Sequence, residues 1–327
     1  MPLNERNYTL HYSNLLSIVV LICMLAGCDS ESNNSIVDLN DAVSESELKS
    51  LGSNLDEQQK VYYFGFDLRA SPQEDSRQYQ PFLRYLEKAT DLKFELRFTP
   101  KSSSIIEEIG TGKVHFAAVG AVSYIQGHEK YGIDSLVLGL SQEGKAKYQS
   151  MIVTNPDSKI KKLTDLRHKR FAFGSIDSTQ GHLIPRIVLG DHNIGLEDLG
   201  TYKYTGSHRN CAEAVISSKF DACGMQDTMA KDMTKQGLLR ILHASHFYPS
   251  SGVVANQELP PEVVSRVKQA LIDFEPNGKD KEKLYNWHKT EMPNGFVEAK
   301  QEYYSEMRHW LIKFGMLELP ENVSVEN

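Results

Sequence analysis

The stretch Phe171-Ala-Phe-Gly-Ser-Ile-Asp-Ser-Thr-Gln-Gly-His-Leu-Ile-Pro185 decides the fold of this 327-residue chain. It begins with a buried strand, continues through a turn, and opens a helix at Ser178 and Thr179. Ser and Thr at a helix start cap its first turn, and the backbone N–H groups beside them favour an anion. Gly181 lets a ligand approach the backbone closely. The alternative is a plain helix cap, and the stretch is not a P-loop because no Gly-Lys-Ser/Thr follows.

Other polar side chains follow strands at turns of the same kind. His208 lies between a strand and a helix, where it either donates to an anionic oxygen or is an ordinary surface histidine. Ser123 and Tyr124 follow another buried strand; they either face a ligand or serve as a cap and a packed ring. Asp227 follows a fourth strand, with a simple helix cap as the alternative. Because open α/β sheets bind ligands at the carboxyl ends of their strands, these turns together predict one site.

Strands alternate with helices along most of the chain, which predicts an α/β protein with mostly parallel sheets. Val61–Phe66 is a compact apolar and aromatic run that is typical of a strand. After residue 255 the apolar spacing predicts helices over Pro261–Phe274, Lys279–His288 and Phe296–Phe314. Two successive series of strands and helices, similar in size, indicate two lobes.

The net charge of −7 is concentrated in one short segment. Residues 29–59 carry eight acidic side chains and one basic side chain, Lys49, so the charges of the remaining residues sum to zero. This segment is rich in Ser, Asn, Asp and Glu, which predicts a disordered acidic tether over residues 28–59. Without clustered Lys and Arg, the composition argues against a nucleic-acid partner.

The N-terminus has the features of an export signal. The apolar run at residues 15–25 is too short to span a membrane and is typical of a signal peptide. The sequence Leu25-Ala-Gly-Cys28 that follows resembles a bacterial lipobox, which implies removal of residues 1–27 and acylation of Cys28. Asp29 then implies retention at the inner membrane. The alternatives are an ordinary signal peptide or a membrane anchor with an incidental cysteine.

Two cysteines, Cys211 and Cys223, remain after the lipobox. In an oxidising compartment they either form a disulfide or are two small buried apolar residues. Their separation in the sequence does not decide between these alternatives, because it does not determine their distance in space. With no CxxC or HxxxH spacing nearby, no metal site is expected.

Several segments, in this order, resemble the phosphate/phosphite/phosphonate-binding proteins of bacterial ABC importers. They are Tyr148-Gln-Ser-Met-Ile-Val153, Leu163-Thr-Asp-Leu-Arg-His-Lys-Arg-Phe-Ala-Phe-Gly174, Ser178-Thr-Gln-Gly-His-Leu-Ile-Pro185, Thr205-Gly-Ser-His208 and Phe220-Asp-Ala222. The resemblance covers about residues 60–315. It implies a type II periplasmic-binding-protein fold, in which two α/β lobes joined by two hinge crossings close on a ligand.

The resemblance also implies the limits of each lobe. The crossings are expected near residues 146–152 and 243–252. Lobe one then comprises residues 60–146 and 252–327. Lobe two, with the hinges, comprises residues 147–251.

The resemblance implies that lobe two holds the oxyanion through Ser178, Thr179, the amide of Gly181, and His208. Tyr124, beside Ser123, matches the contact from lobe one, and Tyr79 matches an aromatic wall of the pocket. Asp227 matches an acidic residue that orients a hydroxyl group or contacts a ligand amine.

The function implied is that of a solute-binding lipoprotein on the periplasmic side of the bacterial inner membrane. It captures a small oxyanion (phosphonate, phosphite or phosphate) between its lobes and delivers it to an ABC permease. No catalytic residue, cofactor or metal is expected, and the protein is expected to be a monomer held to the membrane by its lipid anchor. The sequence does not distinguish between the three oxyanions.

Two alternatives to an importer component stay open. Some relatives report a ligand to a sensor kinase, and one group binds arsenite through a cysteine, so a sensory lipoprotein of the same fold is the first. A hydrolase that uses Ser178 with His182 or His208 is a remote second, because the chain lacks a G-x-S-x-G nucleophile elbow.

Overall fold

The computed structural model describes residues 60–100 and 102–317. The predicted signal peptide, the lipidation site at Cys28 and the acidic tether lie outside these residues. Within them, no helix combines the length and the hydropathy that a membrane span requires.

The described chain alternates strands and helices. The strands are β1 (Val61–Phe66), β2 (Lys93–Leu96), β3 (Phe116–Val119), β4 (Asp134–Gly139), β5 (Lys147–Tyr148), β6 (Ser150–Thr154), β7 (Arg170–Phe173), β8 (Thr201–Tyr204), β9 (Ala222–Gln226), β10 (Arg240–Ala244), β11 (Tyr248–Pro249), β12 (Gly252–Ala255) and β13 (Phe296–Glu298). The α-helices are α1 (Pro72–Thr90), α2 (Ile105–Gly110), α3 (Ala121–Tyr131), α4 (Ile184–Asp191), α5 (His208–Ile216), α6 (Asp227–Lys235), α7 (Pro261–Ile272) and α8 (Ser305–Lys313). A turn of π-helix, Thr179–Leu183, leads directly into α4.

The strands form two larger sheets. The first sheet has the order β13-β4-β12-β3-β1-β2, and the second has the order β10-β6-β9-β7-β8. In the first sheet β1 is parallel to β2 and β3, whereas β12 is antiparallel to β3 and β4, and β13 is antiparallel to β4. In the second sheet β7 is parallel to β8 and β9, whereas β6 is antiparallel to β9 and β10.

Both sheets are therefore mixed, and the prediction of mostly parallel sheets is wrong. Parallel neighbours need a long crossover connection, usually a helix. The chain reaches β6 and β12 directly from the short strands β5 and β11, which pair antiparallel with each other. Because no crossover helix precedes them, β6 and β12 run against their neighbours. The β5–β11 pair falls within the segments predicted as crossings; the lobe limits and the hinge role stay predictions.

Two predicted helices near the C-terminus are also wrong. Lys279–His288 contains only short 3₁₀ turns, and Asn286 interrupts them with a φ of 48°. Phe296–Phe314 begins with strand β13, which adds to the edge of the first sheet, and only α8 is α-helical. The apolar periodicity predicts a helix from Phe296, but this residue is buried in a strand that pairs with β4.

Strand β1 shows how the first sheet forms its core. Tyr62, Phe64 and Phe66 alternate along the strand and are buried. Phe66 stacks on Tyr79 of α1 with ring centroids 4.8 Å apart, and Phe64 contacts both Tyr79 and Phe82. This aromatic packing places the end of β1, and the residues after Phe66 follow where the two sheets approach each other.

A disulfide joins Cys211 to Cys223, which decides between the two alternatives that the sequence left open. The Cα atoms are 5.9 Å apart, and both side chains are fully buried. Cys211 lies on α5 and Cys223 on β9, so the bond ties the helix that begins with His208 to the strand that ends at Gln226.

Candidate ligand-binding site

The turn after β7 builds the first part of the site. Ser178 caps the π-helical turn, and its Oγ accepts a hydrogen bond from the Gly181 amide at 2.9 Å. The Gly181 amide therefore has a partner within the chain, which differs from the expectation of a free N–H group. A Cβ at Gly181 would lie 3.0 Å from Gly174 Cα and 3.1 Å from His208 Cε1. Only glycine lets this turn and the His208 ring come so close together.

His208 lies against this turn from the start of α5. The ring is buried, and its Nδ1 accepts a hydrogen bond from the Gln226 amide at 3.3 Å. Burial lowers the pKa of His208 to about 4, against the opposite effect of Glu291. The imidazole is therefore neutral near pH 7, and because Nδ1 is the acceptor, Nε2 carries the proton. His208 is thus a neutral donor, which is compatible with the predicted contact to an oxyanion.

Thr179 connects the two sheets. Its Oγ1 accepts a hydrogen bond of 3.0 Å from the amide of Val122, in the first turn of α3. A Cβ at Gly120 would lie only 2.7 Å from that oxygen, so glycine is needed for the approach. The start of α3, beside the first sheet, and the start of the π-helical turn, beside the second, are therefore in direct contact.

Asp67, which directly follows β1 of the first sheet, also lies at the start of α3. Its carboxylate accepts hydrogen bonds from the Gly120 amide at 2.9 Å and from Ser123 Oγ at 3.2 Å. Burial raises the pKa of Asp67 to about 6, although Arg69 and the Gly120 hydrogen bond act in the opposite direction. The predicted site residue Ser123 is thus close to the contact between Thr179 and α3, but its hydroxyl is hydrogen-bonded to Asp67.

The side chain of Tyr124 packs away from these site residues. Its ring packs on Tyr304 with centroids 4.4 Å apart and on His128 at 5.6 Å. Successive helical residues point about 100° apart, so with Ser123 directed to Asp67 the next side chain is directed into the core. The prediction that Tyr124 supplies the contact from lobe one is not supported by this placement.

The hydroxyl of Tyr79 lies near Arg69 at the site. The ring is buried against Phe66 and Trp287, and the role of Tyr79 as an aromatic wall of the pocket stays a prediction. Within the described part of the chain, its buried hydroxyl has no hydrogen-bond partner. Burial raises the pKa of Tyr79, while the nearby Arg69 acts to lower it. Tyr79 therefore adds a polar atom, as well as a ring, beside Arg69.

Asp227 is the first residue of α6, and Gln226 occupies the cap position. Its carboxylate accepts hydrogen bonds from the Thr228 amide at 2.8 Å and from the Gln180 side chain at 3.3 Å. Burial raises the pKa of Asp227, and Lys231 at 3.5 Å acts against it. With Tyr148 and Glu291, Asp227 lines a cavity of about 230 Å³. Its carboxylate therefore faces a space as well as the helix start.

A buried ion pair, which no sequence motif predicted, lies beside His208. The Arg69 guanidinium and the Glu291 carboxylate are 3.0 Å apart, and their side chains are 9% and 4% exposed. Glu291 also lies 3.9 Å from His208 Nε2. Burial alone would raise the pKa of Glu291, but Arg69, His208 and the hydrogen bonds from Ser251 and Arg69 together outweigh it, and the pKa is lowered. Among the residues that the structure describes, no group of three or more His, Cys, Asp or Glu side chains could hold a metal ion.

Comparison with known proteins identifies the family. A family model described as the phosphonate periplasmic substrate-binding protein of ABC transporters matches residues 64–304. The chain belongs to this family. The substrate-binding protein is 25% identical over 241 residues to the phosphonates-binding periplasmic protein of Escherichia coli, with 70% of each chain covered. It is 29% identical over 245 residues to a phosphate-import protein of Mycolicibacterium smegmatis, covering 68% of this chain and 76% of that one.

Solved structures confirm the predicted fold. PhnD1 from Prochlorococcus marinus, in complex with methylphosphonate, superposes with a TM-score of 0.71 at 18% identity. The match covers 79% of this chain and all of that one. The substrate-binding protein therefore has the type II periplasmic-binding fold, and its family consists of binding proteins for ABC transporters, not of enzymes.

The structure of this substrate-binding protein brings Ser178, Thr179, Gly181 and His208 together as the sequence predicts. The residues that sequence reasoning missed are Asp67, Arg69 and Glu291. A signal existed for Asp67 and Arg69, because both directly follow the buried strand β1, as the predicted site residues follow theirs. None existed for Glu291, which lies in a loop that only the folded chain brings to this point.

Proposed function

We propose that this protein is a membrane-anchored solute-binding lipoprotein that captures phosphonate, phosphite or phosphate and delivers it to an ABC importer. The observation that supports this proposal most directly is the meeting of Ser178, Thr179 and His208 where the two sheets approach each other. Two curated relatives, named for phosphonate binding and phosphate import, agree with a phosphorus oxyanion as ligand.

Neutral donors bind the oxyanion in this proposal. His208 offers its Nε2 proton, and the hydroxyl groups of Ser178 and Thr179 rotate to donate once an oxyanion replaces their present partners. Removal from water strengthens each of these hydrogen bonds. The Val122 amide then becomes available from the other side of the site, so that closure of the lobes joins both halves around the ligand.

Anchoring follows from the resemblance of residues 25–28 to a lipobox. Acyl chains on Cys28 would hold the protein at the inner membrane, with the acidic segment 29–59 as a spacer. Replacing Cys28 by Ala should move the protein from the membrane fraction to the soluble periplasmic fraction. If the variant stays in the membrane fraction, the lipid-anchor part of the proposal is wrong.

Calorimetry tests the ligand class. Phosphate, phosphite, methylphosphonate and 2-aminoethylphosphonate are titrated separately into the purified full-length protein. We expect at least one to bind, and we expect S178A and H208A to weaken that binding about tenfold or more. H192A is the matched control, because His192 is exposed at the end of α4. Absence of binding to all four ligands overturns the phosphorus-oxyanion proposal.

The alternative partner is a sensor kinase. The disulfide uses both Cys211 and Cys223, so neither offers a thiolate for arsenite in this structure. Cross-linking of the ligand-loaded protein in membranes distinguishes the two partners. Recovery of a permease supports the importer, whereas recovery of a histidine kinase overturns it in favour of the sensor.

A further inference from the structure

The buried pair Arg69–Glu291 is unusual beside the neutral donors Ser178, Thr179 and His208. Both side chains are at least nine-tenths buried. Burial of an ion pair costs desolvation that the attraction between the charges often fails to offset, so such a pair is weak evidence for a stabilising role. Glu291 of this pair lies 3.9 Å from His208, which is predicted to bind the oxyanion. A role in binding the ligand therefore explains the pair better than a role in stability.

The pair lies between two cavities. Glu291 lines the first, of about 230 Å³, together with Asp227 and Tyr148. Arg69 lines the second, of about 240 Å³, together with Gln226. Three residues line both cavities: Thr228, Asp232 and Lys289. Glu291 and Asp227 therefore line the first cavity, together with Lys231, Lys235 and Lys289, and Arg69 lines the second, together with Glu74 and Asp75.

Polar atoms without partners point to the same place. Arg69 Nε, the Tyr79 hydroxyl and Gln226 Oε1 are buried and make no hydrogen bond within the part of the chain that the structure describes. Buried polar atoms normally have partners, because leaving one unpaired costs free energy. Two donors and an acceptor are thus left over beside the ion pair, which is what a bound polar group would use.

The charges restrict which ligand fits. A simple oxyanion at His208 would face the Glu291 carboxylate, with the Asp227 carboxylate beside the same cavity. Arg69 offsets the charge of Glu291 only while the two stay paired, and a carboxylate left buried without a counter-charge is costly. A ligand ammonium that takes the place of Arg69 beside Glu291 avoids this cost, and Arg69 is then released to pair with a second anion of the ligand.

We propose that Arg69, Glu291 and Asp227 form a second subsite for an α-amino acid head group, so that the ligand is an amino acid carrying a phosphonate or phosphate ester on its side chain. The ammonium pairs with Glu291 and Asp227, and the carboxylate takes the Arg69 guanidinium. The phosphorus oxyanion occupies the Ser178–Thr179–His208 group. This inference rests on the proposed function and names its substrate class.

A ligand series tests the subsite on the unaltered full-length protein. The ligands are 2-amino-3-phosphonopropionate, 2-aminoethylphosphonate without the carboxylate, 3-phosphonopropionate without the ammonium, and ethylphosphonate without either. We expect calorimetry to show the first binding about tenfold or more tightly than each of the others. O-phosphoserine, with the same head group, shows whether the oxyanion is a phosphonate or a phosphate ester.

Variants locate the head group. R69M/E291Q neutralises both charges together, which avoids leaving one of them buried alone. In this variant the four phosphonates should bind with affinities within about threefold of one another. E129Q is the matched control, because Glu129 also pairs with an arginine, Arg308, but away from both cavities, and its ligand preference should equal that of the unaltered protein.

The outcomes separate the two proposals. If ethylphosphonate binds as tightly as 2-amino-3-phosphonopropionate, the subsite is wrong and the phosphorus-oxyanion function stands. If no phosphonate or phosphate binds at all, the proposed function itself fails. Since the ligand series uses the unaltered protein, it decides the question even where a variant fails to fold.

Discussion

The side-chain oxygen of Thr179 accepts a hydrogen bond from the backbone amide of Val122 at 3.0 Å. Thr179 belongs to the turn after β7 of the second sheet, and Val122 belongs to the helix after β3 of the first. The contact therefore couples two strand-end turns that lie far apart in the sequence. It also places the start of α3 beside the predicted oxyanion group.

Replacing Thr179 by Val tests this contact with almost no change of shape. The variant leaves the buried Val122 amide without its acceptor and removes one predicted ligand hydroxyl. Loss of a hydrogen bond to a charged ligand costs about 1.5–3 kcal/mol, so we expect phosphonate affinity to fall about 10- to 150-fold in calorimetry. T234V, the same change at a buried hydroxyl without a partner, should bind as the unaltered protein does. Unchanged affinity in T179V would contradict the role of Thr179.

A methyl group at Gly181 should disrupt the site more than the fold. The added Cβ in G181A would lie 2.8 Å from Ser178 Oγ, 3.0 Å from Gly174 Cα and 3.1 Å from His208 Cε1. Because Gly174 contributes backbone, the turn must shift, and we expect both weaker binding and a lower melting temperature. A loss of about 1–3 kcal/mol in the free energy of unfolding is reasonable for such overpacking.

G190A is the matched control for that change. Gly190 lies in α4, and a Cβ there meets no atom within 4 Å. Alanine in place of a helical glycine should raise the free energy of unfolding by about 0.5–1 kcal/mol without altering ligand affinity. If G181A behaves like G190A in both measurements, the close packing around Gly181 has no functional importance.

Asp67 should make the stability of the protein depend on pH. Its pKa is about 6 in the folded chain, above the ordinary 3.8, because burial disfavours the charged form. Its contribution is therefore fully present below pH 3.8 and is lost as the pH rises through 6. Relative to D67N, the unaltered protein should be about 1–1.5 kcal/mol less stable at pH 7.5 than at pH 5.

Urea unfolding at both pH values, followed by tryptophan fluorescence, measures this difference. Arg69, Asp177 and Glu291 also act on Asp67, but they are the same in both proteins. D157N, a change at an exposed residue, should give a difference from the unaltered protein that is the same at pH 5 and pH 7.5. A pH-independent difference between D67N and the unaltered protein would show that burial does not raise the pKa of Asp67.

The disulfide should stabilise the protein and resist reductant while the chain is folded. Its removal in C211A/C223A is expected to lower the free energy of unfolding by about 2–4 kcal/mol, the usual range for a loop of this length. Because both cysteines are fully buried, thiol reagents should label them only after reduction in denaturant. Detection of two free thiols in the folded, unreduced protein would contradict the bond.

Local patterns in the sequence predict much of this architecture. A strand followed by a small polar turn and a helix is encoded within about fifteen neighbouring residues, so the unit at 171–185 and the place of His208 follow from the order of residues. Each predicted binding turn also lies at a carboxyl strand end, and the structure brings Ser178, Thr179 and His208 together there.

Features that depend on distant segments were not predicted. The antiparallel course of β6 and β12 results from the way that the chain passes between the sheets, and β13 forms because Phe296 finds a partner strand. The packing of Tyr124 on Tyr304 was also not predicted, because a residue's position on its helix does not show which neighbour packs against it.

The sequence by itself determined the α/β class and the order of the strand–turn–helix units, and it predicts the residues of the oxyanion group, because each is specified by near neighbours. Only the tertiary structure decided that Arg69 and Glu291 meet at the same point, that the two cysteines join, and that Asp67 is buried beside Ser123. The physical reason is that burial and pairing of charges depend on which distant segments come together. Propensity, capping and turn chemistry act on neighbours along the chain.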